Sequence, residues 1–439
     1  MDTTPATSTV RPSEGGGLDG HRGSATAVVA VPRTDTVRTP TLEETRADQE
    51  VPREVVRRGG FTQAETDFTR ALHLAQSVPD ARKAVVEQGR ALWRRAVDRA
   101  QGRVVEGDLP AEDDRPLYWT RLQMTKALRI WQPGFALEDA ERVRLLTRLE
   151  AASRGHDSLG GRVKAGTKRV VITGFDPFML DRSVLGENGD IRHSNPSGAI
   201  ALALDGAVLE TAAGPARVES VTFPLRWAQF ADGIVERTLA PHFGPDSGRV
   251  DLFMTVSQGR PGLFDLEHFN GAWRGLLWDN NNERAPGPAP IPHGVPTVMP
   301  QPQWTVTTLP VGALHDMSAS PFPVRDHTEV VEWDAAGRYQ KRENGPTEGS
   351  LAVEGGGGDY LSNEIAYRGT LLRDACNLHV PGGHVHTPVL GFAEDNTNPT
   401  SGRLTDEHME KQRRDIIGQF RHLLITALET AGQPAHQAS

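Results

Sequence analysis

The stretch at residues 169–178, which reads RVVITGFDPF, decides the fold class. Its first half is rich in β-branched residues and its second half turns through glycine and proline, so we predict a strand that ends in a loop. Similar patterns predict strands at 217–223, 250–256 and 304–309, and helices at 196–209, 227–239, 360–374 and 404–430. Strands that alternate with helices are typical of a layered α/β domain, which we place at 167–430. Within it, the long polar segments 283–303 and 325–358 are predicted to be insertions or functional loops.

The residues before this domain have a different composition. Residues 1–44 are rich in Thr, Pro, Gly and Ser, and such a segment buries too little apolar surface to offset its ordering entropy, so we predict a disordered arm. From Phe61 onwards, apolar residues recur at helical spacing in four stretches, which predicts a small all-α domain at 45–160. At the other end of the chain we predict a flexible tail at 431–439.

The composition limits the partners that we expect. The 439 residues include 48 Lys and Arg against 57 Asp and Glu, a net charge of -9, which gives no general attraction for nucleic acid or for anionic lipid. No run approaches the roughly 20 apolar residues needed to cross a bilayer. The single cysteine, Cys376, allows no internal disulfide. We therefore expect a cytoplasmic protein that binds neither nucleic acid nor membranes.

Two aromatic side chains, Phe175 and Phe178, follow the first predicted strand. Ligands of open α/β sheets settle at the carboxyl ends of the strands, so these side chains could wall a small apolar pocket, although core packing is the commoner role of phenylalanine. Asn195 precedes Pro196 at the start of a predicted helix. There its amide can cap the helix or bind a ligand.

Polar residues follow the third predicted strand in the same way. Gln258 comes directly after that strand, and Glu267 lies further along the predicted loop. A glutamate in a loop is usually a solvated charge. At the carboxyl end of a strand it would also face the ligand side of the sheet, so both roles stay open.

Ser362 lies in the first turn of the predicted helix at 360–374. Free backbone N–H groups and the positive end of the helix dipole favour developing negative charge there, which suits a nucleophile and its oxyanion; simple helix capping is the alternative. His384 and His386 share one face if their segment is extended. One imidazole could serve Ser362 as general base, steadied by Glu267, or the histidine pair could ligate a metal ion. The metal hypothesis is the weaker one, because no spacing supplies a third ligand.

In this order the motifs resemble the pyroglutamyl-peptidase I family, cysteine peptidases that remove an N-terminal pyroglutamate from peptides. The similarity runs from about residue 168 to residue 430. It is carried by TGFDPF at 173–178, NPS at 195–197, QGR at 258–260 with the following Glu267, LSNEIAY at 361–367 and HVHTP at 384–388.

The resemblance implies a fold and a site. The fold is a three-layer, phosphorylase/hydrolase-like α/β domain with a mixed twisted sheet. Glu267, Ser362 and His386 would occupy the catalytic positions, while Phe175 and Phe178 would flank the lactam ring of the substrate. Asn195 and Gln258 would lie near the site, and no metal or cofactor would be required. The expected partner is a peptide with N-terminal pyroglutamate or a related cyclic amide. A homo-oligomer is possible.

The sequence departs from the family at the nucleophile, because Ser362 stands where the family has cysteine. A hydroxyl is not appreciably ionised at neutral pH, so it depends on proton removal by His386. The sequence therefore allows a working serine hydrolase, an inactive homologue that binds such peptides or serves as an interaction module, or an engineered Cys→Ser change. We rank the hydrolase first because Glu267 and His386 are both present.

Overall fold

The computed structural model describes residues 37–244, 248–317, 321–399 and 402–431. Its first part is helical, and its helices are α1 (Leu42–Arg46), α2 (Glu50–Arg58), α3 (Thr62–Leu74), α4 (Val78–Ala100), α5 (Arg115–Ile130) and α6 (Asp139–Ser153). Helix α5 is the centre of this part, since the other five pack around it. Its apolar residues Trp119, Leu122 and Leu128 are fully buried, which is the burial that stabilises short helices in proteins.

The end of the predicted disordered arm is ordered. Residues 1–36 lie outside the described ranges, but α1 begins at Leu42, inside the 1–44 segment. Thr41 and Glu44 form a capping box at the start of this helix, and Glu44 pairs with Arg129 of α5 at 2.8 Å. A prediction from apolar periodicity misses α1 because tertiary ion pairs and a cap, rather than an apolar face, hold it in place.

A seven-stranded mixed sheet forms the second part, in the order β10-β5-β14-β4-β1-β3-β2. Its strands are β1 (Lys168–Phe175), β2 (Val208–Leu209), β3 (Ala216–Phe223), β4 (Leu252–Gln258), β5 (Phe264–Glu267), β10 (Val324–His327) and β14 (Gly382–Thr387). Strands β3, β1, β4 and β14 run parallel, β5 is antiparallel to β14, and β10 is parallel to β5. The remaining strands are β6 (Phe269–Gly271), β7 (Trp273–Arg274), β8 (Gly287–Pro288), β9 (Trp304–Val306), β11 (Val330–Trp333), β12 (Tyr339–Arg342) and β13 (Leu351–Glu354).

Helices cover both faces of the sheet. They are α7 (Arg182–Leu185), α8 (Pro196–Leu204), α9 (Trp227–Ala231), α10 (Ile234–Phe243), α11 (Val311–His315), α12 (Leu361–Ala375) and α13 (Glu407–Ala431). Val170 and Ile172 of β1 pack with residues of α8 and α13, while Val171 packs with residues of α10 and α12. The alternation of these side chains along β1 puts one core on each face. The predicted three-layer α/β fold with a mixed sheet, preceded by helices, is confirmed.

Several predicted elements differ from the structure. The predicted helix at 196–209 ends at Leu204, and the predicted helix at 227–239 is divided into α9 and α10 at Gly233, whose φ is 82°. The predicted strand at 304–309 is the shorter β9, which pairs with β6 outside the main sheet. The polar segment 325–358 contains most of β10 and the three-stranded antiparallel ribbon β12-β11-β13. None of the helices in the described ranges is both long and apolar enough to span a membrane.

The N-terminal helices pack directly against the loops that follow β1. Arg121 of α5 and Arg154, at the end of α6, both pair with Asp176. Asp114 accepts hydrogen bonds from the Ser194 hydroxyl and from Asn195 N, the latter at 3.0 Å. These residues are buried. The helical part therefore fixes the loop that carries Phe178 after β1 and the segment that carries Asn195 before α8.

Candidate active site

Two adjoining hollows open at the carboxyl ends of β1 and β4, and Ser362 lines both. The larger one, which we call the charged cavity, has a volume of about 320 Å³ and is also lined by Glu267, His327 and His386. The smaller one, the aromatic hollow, has a volume of about 20 Å³, and its walls include Phe175, Phe178, Asn195, Gln258 and Tyr360. All seven residues that the sequence singled out as site residues therefore line one hollow or both.

His386 and Glu267 form the closest polar contact of the site. Nδ1 of His386 lies 2.6 Å from Oε1 of Glu267. The contact follows from the pairing of β14 with β5, which brings the two strands side by side. Glu267 was predicted to lie in a loop; it is the last residue of β5 and is 1% exposed. A carboxylate at Nδ1 leaves Nε2 of His386 as the nitrogen that can accept a proton.

Ser362 is the second residue of α12. Its hydroxyl donates to Gly357 O at 3.0 Å, and among the hydrogen bonds of the described residues none joins Ser362 to His386. The side chain does not cap the helix, and neither does that of Tyr360 at the N-cap position. The first hydrogen bond of the helix is donated by Glu364 N to Tyr360 O. The N–H groups before Glu364 are therefore outside the helical ladder, at the positive end of the helix dipole.

The glycine run before α12 lets the backbone approach the site closely. A Cβ on Gly356 would lie 2.1 Å from Glu267 Oε2, and one on Gly355 would lie 2.1 Å from Asn363 Oδ1. Gly356 N also donates to Phe269 O at 2.7 Å. Side chains at these positions would push the run away from Glu267 and from the start of α12, so the glycines are needed for space.

His327, which the sequence did not indicate, contacts the second oxygen of Glu267. Its Nδ1 lies 2.7 Å from Glu267 Oε2, and Nη2 of Arg260 lies 2.9 Å from its Nε2. Burial would raise the pKa of Glu267, but the hydrogen bonds and charges of His327 and His386 outweigh burial and hold that pKa well below its usual value. Glu267 is therefore ionised throughout the neutral range.

A metal ion does not fit the histidine pair of β14. His384 is fully buried, and its Nδ1 and Nε2 each lie 2.8 Å from a hydroxyl, those of Thr255 and Ser257. Burial, then the nearby His386, lower the pKa of His384 well below its usual value. Both ring nitrogens are thus occupied by hydroxyl groups, and neither is directed at an open site.

The ligand atoms of Asp265, Glu267 and His327 also lie within 4.8 Å of one another, a spacing that could suit a metal ion. Arg325 pairs with Asp265 at 2.7 Å, however, and Arg260 lies 3.8 Å from the same carboxylate. Two guanidinium groups already balance the carboxylates and would repel a cation. These residues do not fit a metal ion.

The aromatic hollow is narrow. Its volume is enough for about one water molecule, so a five-membered ring would enter only after Phe178 or Tyr360 moved. Phe178 is half-buried and its ring centre lies 5.9 Å from that of Tyr360, whereas Phe175 is buried against Phe230. Asn195 caps α8 through its carbonyl oxygen and donates to Asp176 O through its amide. Its position at the wall is therefore fixed by the fold.

Comparison with solved structures finds pyrrolidone carboxyl peptidases. A mutant of the Pyrococcus furiosus enzyme gives a TM-score of 0.39 at 18% identity, covering 60% of this chain and 99% of that chain. The Thermococcus litoralis enzyme gives 0.38 at 17% identity, covering 60% and 94%. Pyroglutamyl peptidase I of Bacillus amyloliquefaciens gives 0.36 at 19% identity, covering 60% and 97%.

Sequence comparison finds a family. Residues 24–150 match the domain described as PA0049 N-terminal, and residues 169–315 and 313–391 match the PA0049 C-terminal domain. The uncharacterized protein PA0049 of Pseudomonas aeruginosa is 35% identical over 462 residues, which cover 84% of this chain and 83% of that protein. The chain therefore belongs to the PA0049 family and carries both of its domains.

Proposed function

We propose that this protein is a serine hydrolase that removes N-terminal pyroglutamate, or a related cyclic amide, from peptides. Ser362 is the nucleophile, His386 the general base and Glu267 the carboxylate that orients His386. The observation that carries the proposal is the 2.6 Å contact between His386 Nδ1 and Glu267 Oε1, made at the wall of a cavity that Ser362 also lines. A carboxylate, an imidazole and a hydroxyl in this order are the groups needed for covalent acyl transfer.

The proposed reaction has two steps. Ser362 Oγ leaves Gly357 O and attacks the acyl carbon while Nε2 of His386 takes the hydroxyl proton. The imidazolium returns this proton to the departing amine, which leaves an acyl ester on Ser362. Water then attacks the ester with His386 again as base, and the acid is released. In both steps the free N–H groups at the start of α12 can donate to the oxyanion.

The choice of acyl group rests on the walls of the aromatic hollow. A pyroglutamyl ring is flat and uncharged, so aromatic faces and a few amide hydrogen bonds suit it. Phe175 and Phe178 supply the faces, and Asn195 and Gln258 supply the amides. Since the hollow is too small for the ring, we propose that Phe178, the more exposed of the two phenylalanines, rotates to admit it.

A fluorogenic pyroglutamyl amide tests this function. The wild type should release the fluorophore, Ser362→Ala should abolish release, and a metal chelator should have no effect. Ser183→Ala is the matched control, because that hydroxyl is exposed at the start of α7, donates to Asp181 and lies outside both hollows. Release that survives Ser362→Ala would reject the assigned nucleophile.

A non-catalytic peptide-binding protein is the second candidate. It is favoured by one observation: the Ser362 hydroxyl donates its hydrogen bond to Gly357 O, not to His386. This function predicts saturable binding of a pyroglutamyl peptide by the wild type, measured by calorimetry, with no release of the fluorophore. Release by the wild type would exclude it, and release only by Ser362→Cys would support it.

A further inference from the structure

Each carboxylate oxygen of Glu267 contacts the imidazole of one histidine. Oε1 lies 2.6 Å from His386 Nδ1, and Oε2 lies 2.7 Å from His327 Nδ1. Strand β5 lies between β14 and β10, so each neighbouring strand presents one histidine to the same carboxylate. The side chains of His386, Glu267 and His327 are 8%, 1% and 3% exposed. Water therefore has little access to this carboxylate, and the two histidines take the place of its hydration.

Hydrogen bonds to its oxygens and nearby positive charges keep a buried carboxylate ionised. His386 satisfies Oε1, but His386 is also the group that must change its protonation state during acyl transfer. His327 satisfies Oε2 and makes no contact with Ser362 among the hydrogen bonds of the described residues. Loss of this donor would leave Oε2 unsatisfied in a buried place, which favours protonation of Glu267.

We infer that His327 is a positioning residue, which keeps Glu267 ionised and directed at His386 so that a serine can serve as the nucleophile. The inference rests on the proposed function, because it gives His327 a part in the activation of Ser362. A hydroxyl loses its proton only as it attacks, so the imidazolium that forms needs a fixed anion behind Nδ1. The histidine at position 327 secures that anion.

Arg260 decides which nitrogen of His327 carries the proton. A guanidinium only donates, and Arg260 Nη2 lies 2.9 Å from His327 Nε2, so in the neutral ring Nε2 accepts and Nδ1 carries the proton toward Glu267. When the ring is charged, Nδ1 keeps its proton and Nε2 carries the second one. Glu329 Oε2, which lies 3.4 Å from Nε2, can accept a hydrogen bond from that second proton. In both states His327 donates to Glu267.

The charged groups around His327 come from several elements. They are Glu267 and Asp265 on β5, Arg325 on β10, Arg260 after β4, Glu329 between β10 and β11, and Lys341 on β12, which pairs with Glu329. Burial disfavours a charge on His327, but the hydrogen bond and charge of Glu267 outweigh burial and raise the pKa of His327. The ring therefore stays a donor on the Glu267 side as the pH changes.

Two variants of the full-length protein separate the donor from the bulk of the ring. In His327→Asn, the side-chain amide nitrogen can stand near the position of Nδ1 and still donate to Glu267. In His327→Leu, the space is filled but the donor is lost. Both are compared with the wild type by hydrolysis of the fluorogenic pyroglutamyl amide and by the rate of labelling with a fluorophosphonate. In that labelling Ser362 Oγ bonds to phosphorus, fluoride leaves and His386 takes the proton, whatever the natural substrate.

We expect His327→Leu to lower kcat and the labelling rate about 10- to 100-fold with little change in KM. The acid limb of both pH profiles should move to higher pH, because Glu267 without its second donor takes up a proton more readily. His327→Asn should recover most of the rate. A merely structural role for the ring would be met better by leucine than by asparagine in this buried place.

Three outcomes would overturn the inference: equal losses in the two variants, a change confined to KM, or no loss in His327→Leu. Thermal melts show whether each variant is folded. If His327→Leu is not folded, the inference is tested on His327→Asn alone, which must keep the wild-type pH profile and most of the rate. If the wild type is labelled at Ser362 but hydrolyses no pyroglutamyl amide, the proposed substrate is wrong, and the labelling rates of the two variants test the role of His327. A wild type that does neither rejects both.

Discussion

The aromatic hollow and the charged cavity share Phe178, Gln258, Tyr360 and Ser362, and the rest of their walls come from different parts of the sheet. The hollow is walled by residues at the carboxyl ends of β1 and β4, with Tyr360 and Asn195. The cavity is walled by residues of β5, β10 and the ribbon β11–β13, and it contains ionised side chains. The hollow is thus suited to hold a neutral acyl group, and the cavity to move protons and to receive the leaving group. Binding and chemistry are therefore expected to respond to different substitutions.

The largest effect on hydrolysis is expected from a substitution in the charged cavity. His386→Ala removes the base, so kcat for the pyroglutamyl amide should fall about 10³- to 10⁴-fold while KM changes little. His379→Ala is the matched control, since this histidine is exposed and lies outside both hollows. A rise in KM with an unchanged kcat would show that His386 binds substrate, which would break the division between the two hollows.

An intermediate effect should come from the aromatic hollow. Phe178→Ala removes one aromatic face, so KM for the pyroglutamyl amide should rise about tenfold with a much smaller change in kcat. Leu277→Ala, an apolar truncation on the wall of the charged cavity, should leave KM for the same small substrate unchanged. If Leu277→Ala raised KM as much as Phe178→Ala, the acyl group would sit in the charged cavity.

The smallest effect concerns stability, and it depends on pH. Burial, then the charge of Glu354, raise the pKa of Asp359 to about 6 from 3.8. The folded protein then binds this proton more tightly than the unfolded chain, so stability falls as the pH rises from about 4 to 6. Asp359→Asn removes this dependence. Melting temperatures should show the variant gaining about 1–2 °C on the wild type across that interval; a constant difference would contradict the raised pKa.

The sequence predicts the hollow better than the cavity, and the reason is topological. Phe175, Asn195, Gln258 and Ser362 lie where a strand ends or a helix begins, and local patterns indicate such places. His327 gives no local signal, because its strand β10 is short, polar and within a segment predicted as a loop. Its contact with Glu267 exists only because β10 pairs with β5, a long-range register that a single sequence does not reveal.

The glycine run and the histidine pair of β14 show which parts of the site a sequence pattern can indicate. A run of glycines such as 355–358 indicates a close approach of the backbone to a neighbouring group, and in the structure Gly356 approaches Glu267. His384 and His386 share a strand and have adjacent rings, 4.8 Å between centres, yet one is held by two hydroxyls and the other by a carboxylate. Because side chains alternate between the two faces of a strand, residues two apart are predicted to share a face, but the pattern does not predict which groups contact each ring.

The most direct test of the central claim is to label the wild type with a fluorophosphonate and to map the modified peptide by mass spectrometry. We predict a single label on Ser362, which is lost in Ser362→Ala and forms at least about 100-fold more slowly in His386→Ala. An unlabelled wild type, or a label on another serine, would contradict the claim that Ser362, His386 and Glu267 act together.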